Sequence, residues 1–248
     1  MSTTRGNNMS TTTPARIRTL TAIVACLSAA LVALSPAPQA HATSPTPPLV
    51  GAGLIIAGTP EPDQVVYCVL AGAGHDSTGQ QLAFTAGHCA GLGSTVRAID
   101  QTAELGTVIA RRVPGTQVTE IDQLDYALIR LHPGVRVGPV PGSPIHPTRI
   151  GAPHLGEIAC KYGPGVIFPG ERCGVIDRVS AVEFDTFAFA IYGDSGSPVY
   201  NPSHTLIGIL SRPWSVPMLS TTTVTRIDAA VRHARTSGAL VGQFTPRA

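Results

Sequence analysis

Gly193-Asp194-Ser195-Gly196 breaks an apolar run that reads A-I-Y before it and, after Ser197, P-V-Y beyond it. Gly, Asp, Ser and Pro are common turn formers, so a tight turn is one reading. The other is a loop that offers one hydroxyl and two backbone N–H groups to a carbonyl group. A hydroxyl becomes a useful nucleophile only when a base takes its proton. Two residues elsewhere could complete that chemistry. His88 lies in T-A-G-H-C, at the end of the apolar run L-A-F and beside Cys89. Histidine as a residue type titrates near neutrality, which suits a general base. Asp125 stands at the mouth of Y-A-L-I-R-L. Taken singly, the histidine reads as a core or solvated residue and the aspartate as a strand start. Taken together, they are an imidazole, a carboxylate and a hydroxyl at junctions where side chains from different strands can converge.

The elements that would position these groups occupy only part of the chain. Arg5, Arg16 and Arg18 precede an apolar stretch from Leu20 to about Leu34, followed by S-P-A-P-Q-A-H-A. That order, with Ala40-His41-Ala42 as a small-x-small site, predicts a signal peptide over residues 1–42. Ile23-Val24-Ala25-Cys26 loosely resembles a lipoprotein box, but the apolar region runs on past Cys26, so export without a stable membrane anchor is the expectation. Three of the 17 basic residues and none of the 15 acidic ones fall in that segment, which leaves a nearly neutral remainder. No basic run follows, so nucleic acid is not an expected partner.

Of five cysteines, Cys26 leaves with the signal and four remain. An even count in an exported chain suggests disulfides. Among three possible pairings, Cys68–Cys89 and Cys160–Cys173 close the shortest loops, each worth about 3 kcal/mol by loop entropy. Zinc is the competing reading, but C-x-x-C and H-E-x-x-H do not occur. No metal or organic cofactor is expected.

Residues 43–48 form a Pro-rich lead-in. From Leu49 to about Leu131 come short apolar runs such as Q-V-V-Y-C-V-L, Q-L-A-F-T-A and T-V-I-A, separated by turn signals, which read as strands. Residues 132–155 are dense in Pro and Gly and read as a connection. Strands resume with T-F-A-F-A-I and T-L-I-G-I-L. In R-I-D-A-A-V-R-H-A-R, Ile227, Ala230, Val231 and Ala234 share one helical face. The expectation is an all-β protein over residues 49–248, with one lobe over about 49–140, a second over about 155–225, and a short helix over about 226–236.

T-A-G-H-C, D-Y-A-L-I-R-L and G-D-S-G-S-P resemble, in type and order, the histidine, aspartate and serine motifs of the chymotrypsin-like serine proteases. The likeness is greatest to the secreted bacterial subgroup that includes α-lytic protease and streptogrisin. It implies two six-stranded Greek-key β-barrels with the active site between them. It also implies a serine endopeptidase acting through an acyl-enzyme, with His88 as base, Asp125 as its support, Ser195 as nucleophile and the N–H groups of Gly193 and Ser195 as oxyanion hole. In that subgroup a basic residue follows the first cysteine of the second pair. Cys160-Lys161 fits, and Lys161 is the only lysine in the chain, so a Lys161–Asp194 ion pair is expected to order the oxyanion loop without zymogen cleavage. Ser211 matches the serine that hydrogen-bonds the aspartate.

Departures from the pattern bear on substrate preference. Trypsin-like members carry an acid at the position of Phe189, and glutamate-specific ones carry histidine where this chain has Leu210. With Phe189, Ala190 and Tyr192 ahead of the serine, an apolar or small residue before the scissile bond is expected. Pro213 stands where the family has a glycine whose N–H bonds the substrate backbone, and proline has no N–H. The sole tryptophan, Trp214, could wall the cleft. The expected partner is a protein or peptide substrate, and the expected state a monomer. A catalytically silent homologue acting as a secreted binding module is the alternative, and an esterase-like hydrolase a third.

Overall fold

Period-2 and wholly apolar runs form strands through most of the chain. The structure, a computed structural model, describes residues 46–100, 102–115, 123–163, 169–212 and 221–247. The predicted signal segment lies outside the described residues. In the first lobe the strands are β1 (Leu49–Val50), β2 (Ile55–Gly58), β3 (Val66–Val69), β4 (Gly72–His75), β5 (Gln81–Thr85), β6 (Thr95–Ala98), β7 (Glu104–Arg112), β8 (Tyr126–Leu131) and β9 (Arg136–Val137). The second lobe holds β10 (Ile158–Gly163), β11 (Gly170–Val179), β12 (Glu183–Thr186), β13 (Pro198–Tyr200), β14 (Leu206–Arg212) and β15 (Thr222–Arg226). Helix α1 (Ile227–Thr236) and β16 (Thr245–Pro246) follow.

The second lobe closes as a six-stranded barrel in the order β10-β11-β12-β15-β14-β13. Closure leaves no free edge. Its core is a small apolar cluster that includes Ile176, Phe184, Val199, Ile207, Leu210 and Val224. The first lobe is a curled half-barrel that matches the other barrel of the two-barrel expectation. It is an eight-stranded sheet in the order β16-β4-β5-β8-β7-β6-β2-β3. The extra strand at one end comes from the C-terminus, which returns past α1 so that Thr245 pairs with His75. Sequence reasoning stopped at the helix because T-P is too short to show strand periodicity.

Helix α1 packs the lobes together. Ile227, Ala230, Val231 and Ala234 are buried as the spacing predicts, in one apolar cluster with Phe84, Tyr126 and Leu128 of the first lobe and Leu206 and Ile209 of the second. Asp228 in its first turn and Arg235 in its last suit the helix dipole. Both disulfides form as the short loops suggest: Cys68–Cys89 joins β3 to the turn after β5, and Cys160–Cys173 bridges a directly opposed pair on β10 and β11.

Candidate active site

Strand β5 buries Leu82, Ala83 and Phe84, then gives way to a single 3₁₀ turn, Gly87–Cys89. Glycine is required at its start, because a methyl group on Gly87 would overlap the Arg112 and Tyr126 carbonyl oxygens at the ends of β7 and β8. The turn is thus seated on the strand pair that carries Asp125, and its far end is fixed by the disulfide at Cys89.

Asp125 is fully buried, and each of its oxygens is used. Oδ1 accepts the His88 backbone N–H at 3.0 Å, and Oδ2 lies 2.7 Å from His88 Nδ1. Ser211 Oγ, from β14 of the other lobe, donates to Oδ2 at 2.6 Å. The Asp125 N–H donates to Thr225 Oγ1 on β15 at 3.2 Å. Burying a carboxylate is costly unless its lone pairs are met, and three donors from two lobes meet them. A carboxylate against Nδ1 requires the imidazole proton there, leaving Nε2 as the nitrogen with a lone pair. The His88 side chain is 40% exposed.

The loop before β13 is held almost atom by atom. Asp194 N–H donates to Ile191 O at 3.1 Å, Ile191 N–H to Asp194 Oδ2 at 3.0 Å, and Ser197 N–H to Asp194 O at 3.0 Å. Gly196 N–H donates to Leu210 O at 2.7 Å, and Ser195 O accepts from Val69 N–H of the first lobe at 2.8 Å. Gly193 and Gly196 have φ of 95° and 82°, values that glycine adopts without strain. A side chain at Gly196 would also overlap Val69 O and Thr85 Oγ1, so this glycine lets the two lobes touch. Among the described residues the N–H groups of Gly193 and Ser195 have no acceptor, whereas those of Asp194, Gly196 and Ser197 do.

Beneath this loop Lys161 and Asp194, both fully buried, form an ion pair. Burial lowers the lysine's proton affinity, as does the charge of Arg172, and Asp194 offsets part of this through its hydrogen bond and its charge. The predicted partners are therefore in contact.

Val69, bonded to the Ser195 carbonyl, follows Cys68, whose disulfide holds Cys89 beside His88. Through this link the serine and histidine segments share one frame. Ser195 Oγ makes no hydrogen bond among the described residues, to His88 or otherwise.

The residues expected to shape a substrate pocket are dispersed. Ala190 packs into the second-lobe core. Phe189 is half exposed, with the Arg172 guanidinium carbon 5.8 Å from its ring centroid. Tyr192 is 85% exposed. Pro213 and Trp214 lie outside the described residues. Two groups with metal-ligand geometry, Cys68/His88/Cys89 and Cys160/Glu171/Cys173, are built around the disulfides, whose sulfurs are already bonded to each other.

Sequence reasoning missed Thr225 and Gly163. Thr225 sits in T-T-V-T, which carries no signal beyond strand propensity. Gly163 lies two places after Lys161, a hint visible only once the ion pair is known.

No family model matches the sequence. An uncharacterized protein of Mycobacterium tuberculosis, Rv1815, is 29% identical over 198 residues, spanning 75% of this chain and 84% of the relative. Among solved structures, Protease A of Thermobifida fusca superposes with a TM-score of 0.59 at 21% identity, over 79% of this chain and all of that one. The Nocardiopsis protease gives 0.58 at 18% identity, over 75% and 96%. A scabies mite inactivated protease paralogue, S-I1, gives 0.51 at 14% identity, over 74% and 92%. The chain therefore has the two-lobed fold of the bacterial chymotrypsin-like serine proteases.

Proposed function

We propose that this protein is an exported serine endopeptidase. The observation that carries the reading is Asp125, held between His88 Nδ1 and Ser211 Oγ, beside a loop with two unused N–H groups. His88 Nε2 takes the Ser195 proton as Oγ attacks the peptide carbonyl carbon. Asp125 keeps the imidazole in the required tautomer and offsets the imidazolium charge. The oxyanion is received by the N–H groups of Gly193 and Ser195, each such donor being worth about 2.7–4 kcal/mol in the transition state. The imidazolium then protonates the leaving amine, and water hydrolyses the acyl-enzyme by the same steps in reverse roles.

Lys161 stands in for an activating amine: by pairing with Asp194 it fixes the loop that aims both N–H groups, so no zymogen cut is needed. The preferred residue before the scissile bond is apolar or small, a reading supported by Phe189 and Leu210 standing where charge-selective relatives carry an acid and a histidine. Residues 1–42 direct export and are removed, in keeping with two disulfides.

A fluorophosphonate probe tests this. Folded protein is expected to be labelled on Ser195, and Ser195→Ala to lose the label. A second reading, a silent homologue that binds rather than cleaves, draws on the unbonded Ser195 Oγ and on the fold's likeness to an inactivated mite paralogue. Absence of labelling in the folded wild type would select it.

A further inference from the structure

The turn bearing His88 has a third anchor besides the disulfide and Asp125. Arg111, partly buried on β7, donates from Nε to the Gly87 carbonyl oxygen at 2.8 Å. Its backbone lies opposite Ala127 on β8, and Arg112 lies opposite Tyr126, the residue after Asp125. The guanidinium therefore issues from the same strand pair that carries the carboxylate.

The carbonyl it binds and the N–H that Asp125 accepts belong to one peptide unit, the link between Gly87 and His88. That peptide has a cation on its oxygen and a carboxylate on its hydrogen. Hydrogen bonds at the two ends of an amide polarise each other, so each strengthens the other. Charge-assisted bonds of this kind are also the stronger and more directional ones. A side chain without a donor at position 111 would leave the Gly87 carbonyl to water and slacken the N–H bond to Asp125.

We propose that Arg111 is a positioning residue: through the Gly87–His88 peptide it locks the His88 turn and the Asp125 carboxylate into one rigid frame. This rests on the reading of His88 and Asp125 as base and support. Arg111 touches neither substrate nor the reacting atoms in this role.

The test compares Arg111→Met, Arg111→Lys, Arg111→Gln and, as a control on the exposed face of β8, Arg130→Met. Two readouts are taken: fluorophosphonate labelling rate, and hydrogen exchange of the His88 backbone amide, which does not depend on activity. Arg111→Met is expected to slow labelling about tenfold and to speed His88 amide exchange by a similar factor. Arg111→Lys keeps a charged donor and should stay within about threefold of wild type. Arg111→Gln keeps a donor without charge, falls between them, and serves where the Met variant does not fold. Arg130→Met should match wild type. The proposal is overturned if His88 exchange is unchanged in the Met and Gln variants, or if Lys is as impaired as Met. A folded wild type that resists labelling would instead overturn the protease reading, while amide exchange still reports on Arg111.

Discussion

Asp194 Oδ1, buried and without a hydrogen-bond partner among the described residues, lies against the Cα of Gly163, where no side chain can fit. A methyl group there would overlap both the carboxylate and the Lys161 ammonium, two groups fully enclosed by protein. Gly163→Ala must therefore displace the ion pair. Overpacking of this kind costs about 1–3 kcal/mol. Urea unfolding should show that loss, and fluorophosphonate labelling should slow by more than the folded fraction explains.

Lys161 carries a larger penalty. Removing one partner of a buried pair leaves the other uncompensated, at about 3–5 kcal/mol. Lys161→Met should lose that much in urea and most of its labelling rate, whereas Lys161→Met combined with Asp194→Asn should recover stability but not labelling. Since burial lowers the lysine's proton affinity, wild-type activity should fall on the alkaline side before the ordinary lysine value of 10.5. A pH–rate profile checks this, and activity unchanged to that pH would contradict it.

Ser211→Ala removes one charge-assisted bond from Asp125 while leaving His88 in contact. Hydrogen bonds to charged groups contribute about 1.5–3 kcal/mol, so labelling should slow by about ten- to a hundredfold. Thr225→Val, which removes only a neutral acceptor of the Asp125 N–H, should cost less. Equal effects from the two would mean that the carboxylate is not what Ser211 serves.

His233 gives the fold an acid-sensitive point. Its Nδ1 lies 2.8 Å from the buried Tyr126 hydroxyl, whose proton affinity burial raises to about 12, against a small opposing effect of the Arg112 charge. The phenol thus keeps its proton, and it shares one hydrogen bond with the imidazole. Burial, then the charge of Arg112, lowers the His233 value below 6.5. The unfolded chain therefore binds the proton more readily than the folded one. Stability from this site is complete above about pH 6.5 and is lost as pH falls toward the lower folded value. Thermal unfolding from pH 7.5 to 5 should show a decline that His233→Gln flattens.

The parts of this molecule that were legible in the sequence are those encoded by local pattern. Y-A-L-I-R-L is a buried strand because its residues are apolar, and I-D-A-A-V-R-H-A is a helix because its apolar face repeats at helical spacing. His88, Asp125 and Ser195 are legible through their types and order taken together, and Ser211 and the Lys161–Asp194 pair only through the resemblance that those three motifs carry. Thr225 and Gly163 are not. A threonine in a strand and a glycine at a strand end have ordinary structural readings, and their roles arise only when β15 meets Asp125 and β10 meets the loop of residues 193–197. The eighth strand of the first lobe was likewise hidden, since residues 245–246 gain strand character only from their partner β4.

The central claim is that Ser195, His88 and Asp125 together hydrolyse peptide bonds. Its most direct test is to incubate the purified, folded protein with a mixed peptide library and identify new termini by mass spectrometry, beside Ser195→Ala prepared identically. Discrete internal cuts are expected from the wild type and none from the variant. Intact peptides after incubation with the wild type, or the same cuts from both proteins, would contradict it.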